Sequence, residues 1–386
     1  MKIIYYSNLS VSDSDFPLIR EFQRNGLDVV AYFPIAEWNK GMGLVNIKRM
    51  LKKDCIIRSS DVDELKIFSS YINLNCIYLI NQYHYKRYQW QNWVLWFKTV
   101  LHMYRQHASI IHFIWPPARQ EKLLYLLHLK RVLTVHDPFP HSSGLRAVSE
   151  NNRKMAFSMC QRFILLNESM RKDFLIKYNL SESIVIQNKM GEFDFLKLLS
   201  SPKSIEEKTT ILYFGQIQSH KGIEYLMEAM TCVHSRYPNI KLIVAGKGAF
   251  YFDIEPYLEL DYIEIRNRYI PIEELAELLG NSIFVVCPYK DATQSGVVQM
   301  AFSACVPLVV TNTGNMADVV KHLTYGLVVP PCDSNALSKA MVYLLDNPQL
   351  IESFKANISS QWHEEMSWGP IAKKYIEMYQ ELDSDI

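Results

Sequence analysis

The sequence predicts an α/β protein built from two doubly wound parallel-sheet, Rossmann-like domains. Three observations point there. The chain has 386 residues, more than one hydrophobic core usually holds. Short β-branched runs alternate with helical patterns along its length. The strand candidates are continuously apolar rather than alternating, as strands covered on both faces are.

Strand candidates in the first half are KIIYY (2–6), DVVAYF (28–33), IIHFIW (110–115), RVLTVH (131–136), RFILLN (162–167) and SIVIQN (183–188). A helix over 16–26 follows the first strand and stops at Gly26. Second-half strands are expected at 209–215, 240–246, 262–267, 282–287, 307–311 and 326–330, with helices over 220–238, 271–281, 297–304 and 334–347. The polar stretch 198–210, with Pro202, reads as the joint. The expected domains are therefore 1–199 and 200–365. Ligands of open parallel sheets bind at the carboxyl ends of strands, so the cleft between two such sheets is the expected site.

Composition excludes several classes. A formal net charge of +1 argues against nucleic-acid binding by bulk electrostatics. No apolar run reaches the roughly 18 residues of a membrane-crossing helix. The opening MKIIYYSNLSVSD turns polar after six residues and reads as a first strand rather than a leader. The seven cysteines are scattered, with no C-x-x-C pair, which suits reduced thiols in the cytoplasm and no zinc. Three D-x-D strings occur. Asp13–Asp15 and Asp61–Asp63 precede helices and read as caps or first-turn acids, and Asp383–Asp385 lies in the tail. No metal site is expected.

Three strand–turn–helix junctions carry the candidate chemistry. In ILYFGQIQSHKGIEYLMEAM (211–230), Gly215 lets backbone approach a ligand and Lys221 can place a point charge on a phosphate at a helix start. LIVAGKGAF (242–250) offers a second glycine turn at Gly246 and Gly248. In PYKDATQSGVV (288–298), Ser295 is a good N-cap, Gly296 allows close approach, and the amides of Ser295, Gly296 and Val297 are free donors at a helix N-terminus. Each turn alone is equally an ordinary tight turn or cap. Together on one sheet edge they suit a nucleotide diphosphate. His136, at the end of VLTVH, stands where a strand meets its loop. Asp137 is placed to orient its imidazole, and His141 is an acceptor-side candidate.

These motifs, over roughly 209–350, resemble family 4 of the retaining glycosyltransferases, which have the GT-B fold. FGQIQSHKGIEYLMEAM, IKLIVAGKG, YIPIEELAELLGNSIFVVCPY, ATQSGVVQMAFSACVPLVVTNTGNMADVV and YGLVVPPCDSNALSKAM occur in the family's order. The subgroup with an ATQSG loop, often engaged in surface polysaccharide synthesis, is the most similar. The first half resembles the family through IIHFIWPP and VLTVHDPFPHSSG. The tail, 366–386, resembles the helix that crosses back onto the N-terminal domain.

The resemblance implies metal-independent transfer, with retention, from a UDP- or GDP-type sugar to a saccharide or a lipid-diphosphate-linked acceptor. It matches Lys221 to the lysine that neutralises the donor diphosphate. It matches Thr293, Gln294, Ser295, Gly296 and Val297 to the phosphate-holding loop, and His136 to the histidine that closes over the reacting sugar. The sequence departs from the family at Gln216, where an arginine is usual, and at Ala292 and Met300, where many members carry glutamates. Gln216 motivates an alternative: an impaired GT-B protein that binds nucleotide sugar or a partner without transfer.

One further stretch stands apart. From Lys66 to Gln120 there is no Asp or Glu. Within it Trp90, Trp93, Phe97, Val100, Leu101 and Tyr104 recur at helical spacing. Two readings stand: a core-facing helix, or a basic aromatic surface for an anionic membrane. The second reading places a cytoplasmic enzyme peripherally on the inner face of the plasma membrane.

Overall fold

The computed structural model describes residues 1–40, 44–84, 86, 88–136, 138–139, 150–199, 207–291 and 296–384. The chain divides into two compact units, Met1–Gly191 with Met366–Ile386, and Glu192–Glu365.

The first unit holds strands β1 (Lys2–Tyr6), β2 (Asp28–Ile35), β3 (Cys55–Arg58), β4 (Ile77–Asn81), β5 (Ile110–Phe113), β6 (Lys130–Val135), β7 (Arg162–Leu165) and β8 (Val185–Gln187). They form one sheet in the order β3-β4-β2-β1-β5-β6-β7-β8. Its helices are α1 (Ser12–Arg24), α2 (Trp90–Tyr104), α3 (Glu150–Met159) and α4 (Arg171–Tyr178). Tyr6, Trp96, Phe113 and Phe163 lie in its buried core. The pairing is parallel except at β3, which runs antiparallel to β4 on the sheet edge. An edge strand needs no crossover helix, so a four-residue antiparallel ribbon is accommodated there. Neither β3 nor β4 was expected from the sequence.

The second unit contains α5 (Leu196–Leu199), β9 (Thr210–Phe214), α6 (Ile223–Arg236), β10 (Lys241–Ala245), α7 (Glu255–Leu258), β11 (Ile263–Arg266), α8 (Ile272–Asn281) and β12 (Ser282–Cys287). It continues through α9 (Gly296–Ser303), β13 (Leu308–Thr311), α10 (Met316–Val320), β14 (Gly326–Val329), α11 (Ser334–Asp346), α12 (Pro348–Asn357) and α13 (His363–Met366). Six parallel strands run β11-β10-β9-β12-β13-β14. Every one of them matches an expected strand to within a residue or so. Fully buried, unbroken apolar strands such as β12 are the pattern easiest to read.

The last helix, α14 (Trp368–Ser384), belongs to the first unit. Its Tyr379 hydroxyl lies 2.5 Å from Nδ1 of the fully buried His112, whose Nε2 lies 2.8 Å from the Thr134 hydroxyl. Burial holds the His112 pKa down to about 3, so the ring is neutral and these are ordinary structural hydrogen bonds. Tyr375 and Tyr379 both meet Phe22 of α1 edge-on at 5.8 Å. Lys130 Nζ donates to the Leu382 carbonyl at 2.6 Å, neutralising a helix end.

The division between units falls at 191/192, ahead of the expected 199/200. Local contacts explain the shift. The Phe193 amide donates to Ser303 Oγ at 2.8 Å, Glu192 pairs with His363, and Phe195 and Leu196 are buried.

Of the aromatic stripe, Trp90, Trp93, Phe97, Leu101 and Tyr104 are exposed. The core side of α2 is instead Leu95, Trp96, Thr99 and Met103. The helix is apolar on both faces, so periodicity alone could not say which face turns inward.

Candidate active site

In the second unit, β9 and β12 are hydrogen-bonded neighbours although two strands separate them in sequence. The strand order reverses between them, and such a switch point opens a crevice at the carboxyl ends. The turns after β9, β10 and β12 all emerge on this edge, and they are tied to one another. The Lys290 amide donates to the His220 carbonyl at 2.8 Å. Gly222 has φ of +63°, and a Cβ there would lie 2.0 Å from the Pro288 carbonyl oxygen. Only glycine lets the β9 and β12 turns touch in this way.

Lys221 ends a single 3-10 turn, Ser219–Lys221, just before α6. Its Nζ sits 3.7 Å from the centroid of the buried Tyr289 ring, a cation–π contact. Burial pulls its pKa below the usual lysine value. Among the described residues no carboxylate pairs with it. Its neighbour Lys290 is instead committed to Glu224 at 2.9 Å. Lys221 is thus a half-buried cation held against an aromatic face at the switch point. Gln216, on the same turn, is exposed; it carries no charge, and its Oε1 accepts from Gln218 Nε2 at 2.8 Å.

Gly246 and Gly248 have a packing reason to be glycine beside any ligand approach. A Cβ at Gly246 would fall 1.7 Å from the Gly215 carbonyl oxygen, and one at Gly248 would fall 2.2 Å from that of Ile217. Asn267 fixes Gly248 from the other side, accepting from its amide and donating to its carbonyl at 3.1 and 2.9 Å. The space near Gly215 is open by comparison, its nearest neighbour being Val297 Cγ2 at 3.5 Å. Gly215 therefore faces the start of α9. Gly296 opens that helix, exposed and with nothing within 4 Å of where a Cβ would stand. Val297 follows, half-buried. Thr293, Gln294 and Ser295 lie outside the described residues, as does Ala292. Met300 is half-buried on α9.

In the first unit, His136 follows β6 and stacks flat on Trp115, which follows β5. His136 lines one pocket with Asp15, Thr134, Lys189, Trp368 and Tyr375, and a second with Trp115, Arg153 and Phe157. Asp15 is fully buried and accepts hydrogen bonds from Tyr5 Oη at 2.6 Å and from Ser7 Oγ. Burial raises its pKa to about 8, against the lowering effect of those bonds. Asp15 stands in the first turn of α1, as its place before a helix in the sequence implies. Its pocket position was not legible, because nothing local shows that α1 starts over the sheet edge that carries His136. The sequence signal for Trp115 is its place just beyond a strand, in IIHFIWPP. Asp137 and His141 lie outside the described residues. Among the described residues no group of three His, Cys, Asp or Glu side chains is arranged to hold a metal.

Residues 208–347 match the family described as Glycosyl transferases group 1. An uncharacterised glycosyltransferase of Methanocaldococcus jannaschii is 26% identical over 257 residues, 62% of this chain and 64% of that protein. The alpha-D-kanosaminyltransferase of Streptomyces kanamyceticus is 25% identical over 156 residues, 40% of each chain. These matches span 64% and 40% of the relatives' own length, in both cases less than two thirds. Among solved structures, the sucrose-phosphate synthase of Thermosynechococcus elongatus superposes with a TM-score of 0.60 at 17% identity, covering 99% of both chains. The Anabaena HepE solved with UDP gives 0.59 at 13%, covering 99% of this chain and 100% of that one. A UDP-GlcNAc 2-epimerase of Neisseria meningitidis bound to UDP-GlcNAc gives 0.61 at 13%, with the same coverage. The chain has the GT-B fold, and its residues 208–347 are similar to the glycosyl transferases group 1 family.

Proposed function

We propose that this protein is a retaining glycosyltransferase. It would move a sugar from a UDP- or GDP-type donor to a saccharide or lipid-linked acceptor in surface polysaccharide synthesis. The observation that carries this reading is Lys221, a half-buried cation with no carboxylate partner among the described residues, at the switch point of the sheet in the segment similar to the group 1 family. When the donor's leaving group departs, negative charge grows on the diphosphate. A lysine and the α9 N-terminus fixed beside it stabilise that state more than the ground state. In this reading the charge is met without a metal. In the first unit, the pocket that His136 lines beside Asp15 takes the acceptor, with His136 held flat by Trp115.

The test is a thermal-shift screen across nucleotide sugars, followed by product analysis with the stabilising donor. A ligand that binds only the folded state raises the melting temperature. A product with the donor's anomeric configuration supports the proposal. Binding without transfer or hydrolysis favours the non-catalytic reading that the uncharged Gln216 motivates. Conversion of the donor to its 2-epimer would mean an epimerase, an activity that the name of one structural neighbour carries.

A further inference from the structure

We propose that the outer face of α2 is a docking surface for an anionic lipid bilayer. The inference stands on α2 and its surroundings and does not depend on the sugar-transfer reading. Most large aromatics of this unit are buried, whereas Trp90, Phe97 and Tyr104 are 68%, 65% and 68% exposed on one helix, and Tyr88 just before it is 89% exposed. Trp93, Val94 and Leu101 fill the same stripe. The spacing 90, 93/94, 97, 101, 104 follows the helical repeat, so these side chains form one strip about 22 Å long along 15 residues. The opposite face already anchors the helix, with Trp96 meeting Tyr6 edge-on at 6.1 Å. The outward strip is therefore unnecessary for the fold of the unit, and leaving it in water is unfavourable.

Charge selects the occupant. Lys86, Lys98 and Arg105 are exposed along the strip or at its ends. The stretch from Lys66 to Gln120 contains no acid to repel an anionic surface. The next acid along the chain is Glu121, in the 3-10 segment packed against α2. It turns inward, accepting from the Ala118 amide at 2.8 Å. The distribution is that of an interfacial helix: Trp and Tyr at the ends, Phe and Leu in the middle, cations beside them. A protein-covered face would need acids on the partner and would leave the cations in a buried interface. Headgroup phosphates meet them without that cost. No helix among the described residues is long and apolar enough to cross a membrane, so attachment through α2 would lie in the interfacial plane.

The experiment is flotation of the full chain with vesicles of phosphatidylcholine alone or mixed with phosphatidylglycerol. The expected result is recovery with the anionic vesicles, little with the neutral ones, and release at high salt. Trp90→Ser with Phe97→Ser should lower anionic recovery by about tenfold or more, and Lys98→Glu with Arg105→Glu should do the same. Both variants change exposed side chains only, so an unchanged melting temperature verifies that they fold. Equal recovery with both vesicles, no recovery with either, or full binding by the Trp90/Phe97 variant overturns the proposal. A dimer in sedimentation that the same variant dissociates also overturns it, since a second copy would then cover the strip.

Discussion

His136 and Trp115 stack nearly parallel, with ring centroids 4.6 Å apart and planes 7° from each other. The indole clamps the imidazole in one orientation at the carboxyl ends of two adjacent strands. If His136 contacts the reacting sugar, the stack is a positioning device. His136→Ala should lower kcat by about 100-fold or more, the size expected when a group fixed at a site of developing charge is lost. Trp115→Leu should lower kcat less, by about tenfold, while leaving donor KM nearly unchanged. Steady-state kinetics with both variants checks this. Equal kcat in wild type and His136→Ala would remove His136 from the mechanism.

Lys221 over Tyr289 makes a second prediction. Its charge is oriented by an aromatic face, and among the described residues no acid pairs with it. Lys221→Ala should abolish turnover and weaken UDP binding in calorimetry. It should change the melting temperature little, because no buried carboxylate is orphaned. Lys221→Arg should rescue poorly, since a planar guanidinium does not replace a compact ammonium in that space. Turnover and donor binding at wild-type levels in Lys221→Ala would refute the phosphate assignment.

The second unit was the more legible half, and the reason is physical. Its strands are central and parallel, each an unbroken apolar run such as SIFVVC, and its turns announce themselves by glycine. The first unit hid β3 and β4 because edge pairing asks for little: CIIR is four residues long and only partly buried. Among the candidate site residues, His136 and Gly215 were legible because each directly follows a strand, and Lys221 because it stands just before a helix. Asp15 could not, since its burial comes from Tyr5 and Ser7 on the sheet beneath it. Gly246 and Gly248 were recognised as special positions, but the pressure on them includes neighbouring backbone. That requirement is tertiary, and a G-x-G string does not carry it. On α2 the helix itself was legible and the inward face was not.

Gly222 supplies a prediction that separates packing from ligand contact. Gly222→Ala must place a methyl 2.0 Å from the Pro288 carbonyl oxygen at a φ of +63°. The strain should cost about 1–3 kcal/mol of stability. Because the β9 and β12 turns must then part, donor binding should weaken as well, although residue 222 need not touch the donor. Chemical denaturation together with UDP titration measures both effects. Gly26→Ala is the control. It has a similar φ of +73° but nothing within 4 Å, so it should cost less and leave UDP binding intact.

Asp15 sets a pH dependence of stability. Its folded pKa, about 8 through burial, lies above the ordinary value of 3.8. Between those two values the folded state holds a proton that the unfolded state has lost. The stabilising contribution is therefore complete below about pH 4 and declines as pH rises toward 8. Asp15→Asn keeps an acceptor for Tyr5 and cannot ionise. Denaturation midpoints at pH 5 and pH 8 should show the variant gaining on the wild type at the higher pH. A constant difference across that range would mean that Asp15 is ionised in the folded protein throughout.

His363 gives the last prediction, in a higher pH window. Its Nδ1 pairs with Glu192 and its Nε2 lies 3.1 Å from Cys305 Sγ. Burial would lower its pKa, but the hydrogen bonds to Cys305 and Glu192 outweigh that and raise it to about 9. The folded state thus keeps the imidazolium proton above the unfolded pKa of 6.5. Its contribution is fully present below about pH 6.5 and is lost as pH rises through 9. Glu192→Gln removes the anion that holds this proton, so the variant should be less stable at pH 6 by about 1–3 kcal/mol. The gap from wild type should narrow by pH 9.5, where the wild-type ring has become neutral. Because Glu192, Cys305 and His363 join three separate segments of the second unit, the loss should appear in its unfolding transition. If instead the gap between the two proteins is the same at pH 6 and pH 9.5, His363 is neutral in the folded protein and the pair is an uncharged hydrogen bond.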